Sequence, residues 1–104
     1  MGVYRVSITD LAKQDIRRIA SYIKNDLQEP EIAIKTVDAI LDAIYTLENM
    51  PLRIKLANDD RLAGKGIRGL GVESYTVFFR VFDSPKTVEV IRVLYSRREW
   101  QALL

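Results

Sequence analysis

The residues of this chain best equipped to do chemistry gather toward its C-terminal end. The stretch VIRVLYSRREW, residues 90–100, sets Arg92 among Val90, Ile91, Val93 and Leu94, then presents Tyr95, Arg97, Arg98 and Trp100 in quick succession. What this cluster offers is positive charge. Proton transfer is poorly provided for, because the chain has no His and no Cys. That removes the commonest general base and zinc ligand together with any thiolate site or disulfide. Chemistry is left to Arg, Lys, Tyr, Ser, Thr or a carboxylate, and a free tyrosine with a pKa of about 10 is a poor base at neutral pH. No metal site and no cofactor is expected.

The bulk properties narrow the classes. At 104 residues, 48% hydrophobic and 29% charged, the sequence suits one folded domain over residues 1–104. No apolar run approaches the roughly 18 to 20 residues of a membrane helix, and the opening MGVYRVSITD lacks the apolar block of a signal peptide. A cytoplasmic protein with no membrane partner is therefore expected. The net charge is only +2, but residues 1–52 carry −2 and residues 53–104 carry +4, so the basic surface belongs to the second half. There, Lys55, Arg61 and Lys65 either belong to a solvated loop or steer RNA or an acidic partner.

These residues must be held by a small set of elements. VYRVSIT alternates as a half-buried strand with Tyr4, Val6 and Ile8 inward, and Thr9 or Asp10 can cap the helix that follows. Ala12, Ile16, Ile19, Ala20, Ile23 and Leu27 then mark an amphipathic helix over roughly residues 10–27. Pro30 suits the first turn of a second helix, whose stripe of Ala33, Val37, Ile40, Leu41, Ile44 and Leu47 runs toward Pro51. Only a short turn near Gln28 and Glu29 separates the two, which predicts an antiparallel hairpin. Tyr4, Tyr22, Tyr45, Tyr75 and Phe79 read as packing residues. After a long connection, a short strand over Arg68 to Val72 is followed by SYTVFFRVF, DSPK and TVEVIRVLY, a strand, turn and strand.

If Phe82 opposes Val88, one face of that last hairpin carries Thr76, Phe78, Arg80, Phe82, Val88, Val90, Arg92 and Leu94. The other face, with Tyr75, Val77, Phe79, Val81, Ile91, Val93 and Tyr95, should meet the helices. Arg92 is then expected to point away from the helical layer. The predicted fold class is α+β, an antiparallel β-sheet of about four strands backed by an N-terminal α-helical hairpin, in the order β-α-α-β-β-β.

Four stretches in this order, YRVSITDLAKQDIRRIASYI, GIRGL, SYTVFFRV and VIRVLYSRREW, span nearly the whole chain. In them the sequence resembles the RelE/ParE superfamily of toxins from bacterial type II toxin–antitoxin modules. The resemblance implies a cognate antitoxin whose flexible segment wraps the toxin in a complex, either as a helix in a groove or as an added strand. It also implies one of two activities. Relatives like RelE cut mRNA on the translating ribosome, whereas relatives like ParE poison DNA gyrase and are not nucleases.

A metal-free ribonuclease needs a group to activate the 2′-OH, a cation for the charged transition state and an acid for the leaving oxygen. Arg68, Arg80, Arg92, Tyr95, Arg97 and Arg98 are the candidates for those roles. RelE-like enzymes commonly place Arg after the aromatic that opens the third strand, and here Thr76 follows Tyr75. That departure leans the reading to the ParE branch, even though ParE-like chains often place His where this one has Tyr95. The target- or antitoxin-binding surface is expected to comprise Phe78, Arg80, Arg92, Leu94, Arg97, Arg98 and Trp100.

Overall fold

The computed structural model describes residues 3–97 and Leu104. Val6 and Ile8 point inward along β1 (Arg5–Ile8), with Tyr4 buried just ahead of it. Thr9 ends the strand and caps α1 (Asp10–Ser21), its Oγ1 accepting from the Ala12 N–H at 3.1 Å. The helical path continues into one π-helical turn, Tyr22–Asp26, closed by the Leu27 N–H donating to the Tyr22 carbonyl. Gln28, with a left-handed φ of 55°, then reverses the chain. Pro30 opens α2 (Pro30–Tyr45), where its missing N–H removes nothing from the helix, and Thr46–Glu48 adds a single 3₁₀ turn. The predicted helical hairpin is thus present, with boundaries close to those expected.

The rest of the chain adds α3 (Asp60–Gly64), β2 (Arg68–Val72), β3 (Tyr75–Asp83) and β4 (Lys86–Tyr95). The sheet order is β1-β4-β3-β2, so the chain's first strand lies beside its last. That pair is parallel, which corrects the expectation of a wholly antiparallel sheet; β2–β3 and β3–β4 are antiparallel. The main core lies between the hairpin and one sheet face. Ala12, Ile16, Ile40, Ile44 and Leu47 pack there against Val77, Phe79, Val88, Val90 and Val93.

Two further departures bear on the site. A β-bulge at Phe78/Phe79 shifts the β3–β4 register: Tyr75 to Phe78 pair with Tyr95 to Arg92, and Phe79 then pairs with Val90, leaving Ile91 as the extra residue. The predicted register therefore holds only beyond the bulge. Before it, Val88 and Val90 turn into the main core, and Ile91 leaves it. The other sheet face is also not bare. The connection through α3 folds over it, so that Ala57, Leu62 and Ile67 bury Phe78 and Leu94 in a second apolar cluster, with Ile91 and Leu104 packed against it.

Candidate functional site

Among the described residues, the arginines named from the sequence have different surroundings. Arg68 lies across from Phe79, whose ring is in the main core, and its guanidinium donates to the Ile54 carbonyl at 2.6 Å. Arg80 lies across from Glu89 on the sheet, half-buried, and its Nε is buried without a hydrogen-bond partner. Arg97 is exposed in the turn after β4. Arg98 and Trp100 lie outside the described residues. Phe78 and Leu94, expected on a partner-binding surface, are only 1% and 3% exposed, because the second cluster covers them.

Arg92 departs furthest from expectation. Its guanidinium grips the carboxylate of Asp15 in α1, Nε to Oδ2 at 2.8 Å and Nη2 to Oδ1 at 2.9 Å. The same Oδ2 accepts the Val93 N–H at 3.0 Å. Arg92 thus ties the end of β4 to the helical layer, and it does so because β1 stops at the level of Val90. Past that point β4 has no strand neighbour on this side, and a carboxylate from α1 takes over one of its backbone donors. The Asp15 carboxylate, by hydrogen bond and by charge, raises the Arg92 pKa, while burial works against it. Asp15 itself is 3% exposed, a burial that the sequence analysis above does not anticipate. The available signal was an acid amid the stripe of Ala12, Ile16 and Ile19.

Beside this clasp lies a groove of about 770 Å³ between the turn of the hairpin and the end of the sheet. Ile19, Tyr22, Ile23, Leu27 and Ile32 line its helical side, and Tyr75, Val93 and Tyr95 its sheet side. Tyr22 and Tyr95 remain 50% and 45% exposed. Tyr22, like Tyr45 elsewhere on the surface, is therefore not the packing residue that its place near an apolar stripe suggested. The Tyr75 and Tyr95 rings meet edge to face with centroids 6.0 Å apart. Burial, with Tyr22, Tyr95 and Glu73 nearby, pushes the Tyr75 hydroxyl above its ordinary pKa of 10.0, away from use as a base. Thr76, at the position where RelE-like enzymes commonly place an arginine, shares a hydrogen bond with Ser96 at 2.8 Å. Charges stand at the groove's edges: Arg18 on α1, Glu29 after the hairpin turn and Glu73 in the β2–β3 turn.

The comparisons with known proteins agree with this architecture. The family model described as the ParE toxin of the type II toxin–antitoxin system, parDE, matches residues 6–100. Among solved structures, the chain resembles one from the chromosomal ParDE system of P. aeruginosa, with a TM-score of 0.74 and 22% identity over 89% of this chain and 96% of that one. It also resembles a chain of the RelBE2 toxin–antitoxin complex from Mycobacterium tuberculosis, with a TM-score of 0.64 and 22% identity over 89% and 98%. A YoeB/ParE toxin from Agrobacterium tumefaciens follows at a TM-score of 0.60 and 17% identity over 88% and 96%. No curated protein matches the sequence.

Proposed function

We propose, for a chain that belongs to the ParE toxin family of type II toxin–antitoxin systems, that it arrests bacterial growth by binding DNA gyrase and is neutralised by a cognate antitoxin. The observation that carries this reading is that, among the described candidate cations, two are engaged by groups of the protein itself. Arg68 is spent on a backbone carbonyl, Arg92 on Asp15, and Arg97 stands apart in an exposed turn. Cleaving a phosphodiester needs a base, an acid and a cation around one reacting phosphate. A protein-docking surface has no such need, and exposed cations on it act through steering and complementarity. The hairpin-end groove suits an inhibitory segment, since it is concave, mainly apolar and edged by charges of both signs.

A RelE-like reading, cleavage of mRNA on the ribosome, draws support from one observation. Arg80 is half-buried rather than fully buried, and its Nε has no hydrogen-bond partner in the structure, so its guanidinium is not fully committed to the fold. Either target would place the protein in the cytoplasm, and among the described residues no helix is long and apolar enough to cross a membrane.

Inducing the chain in a susceptible bacterium, while following mRNA integrity and DNA supercoiling together, tests the proposal. Intact mRNA with gyrase-dependent loss of supercoiling or DNA breakage is expected. Rapid mRNA cleavage at codon positions would transfer the assignment to the RelE-like activity.

A further inference from the structure

The segment that carries α3 across the second sheet face is closed by its own two ends. The Ala57 N–H donates to the Ile67 carbonyl at 2.8 Å, Leu56 bridges to Arg68, and the Gly69 N–H reaches the Lys55 carbonyl at 3.4 Å. At the foot of this neck, the Arg68 guanidinium holds the Ile54 carbonyl at 2.6 Å. Residues 57–67 therefore have the form of an Ω-loop, a compact excursion whose ends meet. Above the neck the hydrogen bonds also stay inside the loop. The Leu62 N–H donates to the Asp59 carboxylate at 3.2 Å, and the Leu62 carbonyl accepts from both Lys65 and Ile67 at 3.0 Å. The Ala63 and Gly66 N–H groups donate to the carbonyls of Asp59 and Ala63. Among the described residues, 58–66 make no hydrogen bond to β3 or β4.

What holds the loop down is apolar contact. Leu62 is the one buried side chain between the neck residues Ala57 and Ile67, and it packs in the cluster that covers Phe78 and Leu94. Lifting the loop thus separates apolar surfaces and breaks no hydrogen bond, the condition under which a part of a structure opens at low cost. The sheet beneath does not need the loop for its own pairing. Phe78 stays opposite Arg92 and Thr76 opposite Leu94, so the face remains formed when its cover leaves. Arg80 shares that face by alternation from Phe78, half-buried and with its Nε unpartnered.

We propose that residues 58–66 are a lid hinged on the Ala57–Ile67 neck, which opens as one piece and uncovers Phe78 and Leu94 while the sheet and the main core stay folded. The second sheet face then exists in a covered and an open state, and anything that binds it draws on the open population. The lid follows from the hydrogen bonding and burial of the loop and is independent of the toxin reading.

The chain has no Cys, so single thiols report the opening. Leu62→Cys and Leu94→Cys place one on either side of the contact between lid and sheet, and Val77→Cys places one in the main core, where only unfolding exposes it. Each full-length variant, shown to melt cooperatively, is labelled with a disulfide reagent at rising urea concentrations below its unfolding transition. Both lid thiols should react at least about tenfold faster than Val77→Cys and with a shallower urea dependence, since the opening exposes little surface. Adding Ile40→Val, a loss confined to the main core, separates the two kinds of opening. It should speed labelling of Val77→Cys about fivefold and leave the lid thiols unchanged, because the open and closed lid lose that contact only on full unfolding. If one of the lid variants does not fold, the other carries the same comparison. Equal rates and urea dependence at lid and core, or lid thiols that accelerate with Ile40→Val, overturn the proposal. So does fast labelling of Leu62→Cys with Leu94→Cys as slow as Val77→Cys, which would mean that the loop frays without uncovering the sheet.

Discussion

Asp15 shows how one side chain can carry what two elements need. It sits on the buried side of α1, where a lone carboxylate would be costly, and is stabilised because Arg92 and the Val93 N–H both meet it. Removing one partner leaves the other charge buried, so Asp15→Ala and Arg92→Met should each lower stability by about 3–5 kcal/mol in urea denaturation. The double variant Asp15→Ala/Arg92→Met should be less damaged than the two losses summed. Near-additivity would mean the pair is not coupled in the folded state. A second residue-scale expectation concerns alkali. The native state holds the Tyr75 proton beyond the ordinary value of 10.0, so above pH 10 the unfolded chain gives up that proton first. Stability should therefore fall as pH rises from about 10, with no contribution from this group below that. Tyr4, whose hydroxyl donates to Asp83 at 2.9 Å and is raised chiefly by that bond, acts in the same direction. Melting temperatures between pH 9 and 11 should drop less steeply in Tyr75→Phe. An unchanged slope would place the alkaline loss elsewhere.

At the scale of elements, the sequence patterns reported what is local and missed what is not. Both helices, the Thr9 cap, the Pro30 start and the β3–β4 hairpin were legible because apolar spacing and turn residues define them within a few positions. The bulge was not, since Val90, Ile91 and Val93 are all apolar and alternate plausibly in either register. Nor was the parallel pairing of β1 with β4, which depends on contacts across some eighty residues of sequence. The short α3 escaped because five residues are too few for a periodic signal, although Asp59, which accepts the Leu62 N–H at 3.2 Å, was a readable cap. This element keeps the second sheet face dry over Phe78 and Leu94. Leu62→Ala should cost about 2–5 kcal/mol. Hydrogen exchange should rise earliest over residues 57–67, ahead of the β3–β4 hairpin. Uniform loosening of the whole sheet would show that the second cluster is not a separate layer of stability.

Over the whole molecule, burial sorts the candidate arginines into those that hold the fold together and those left exposed to solvent, a division that charge in the sequence could not make. Arg92 joins helix to sheet, whereas Arg97 is exposed just beyond the same strand. In sequence both fall on one expected functional surface, because a charged residue in a strand looks the same whether a carboxylate awaits it or water does. The two substitutions should therefore have different consequences. Arg97→Ala should leave the thermal midpoint within about 1 °C, as exposed substitutions commonly do, yet, if the proposed gyrase target is right, reduce growth inhibition and slow association with gyrase most strongly at low salt. Arg92→Ala should lower the midpoint first, with toxicity lost as a consequence of misassembled structure. Ile40→Asp, which puts an unpaired charge into the fully buried centre of α2, marks the limit of outright unfolding. Growth, thermal melting and gyrase supercoiling measured together on the three variants distinguish these cases. If Arg97→Ala retains full toxicity while folded, the basic turn after β4 is not the docking surface, and the contact must be sought on the outer faces of the helical hairpin.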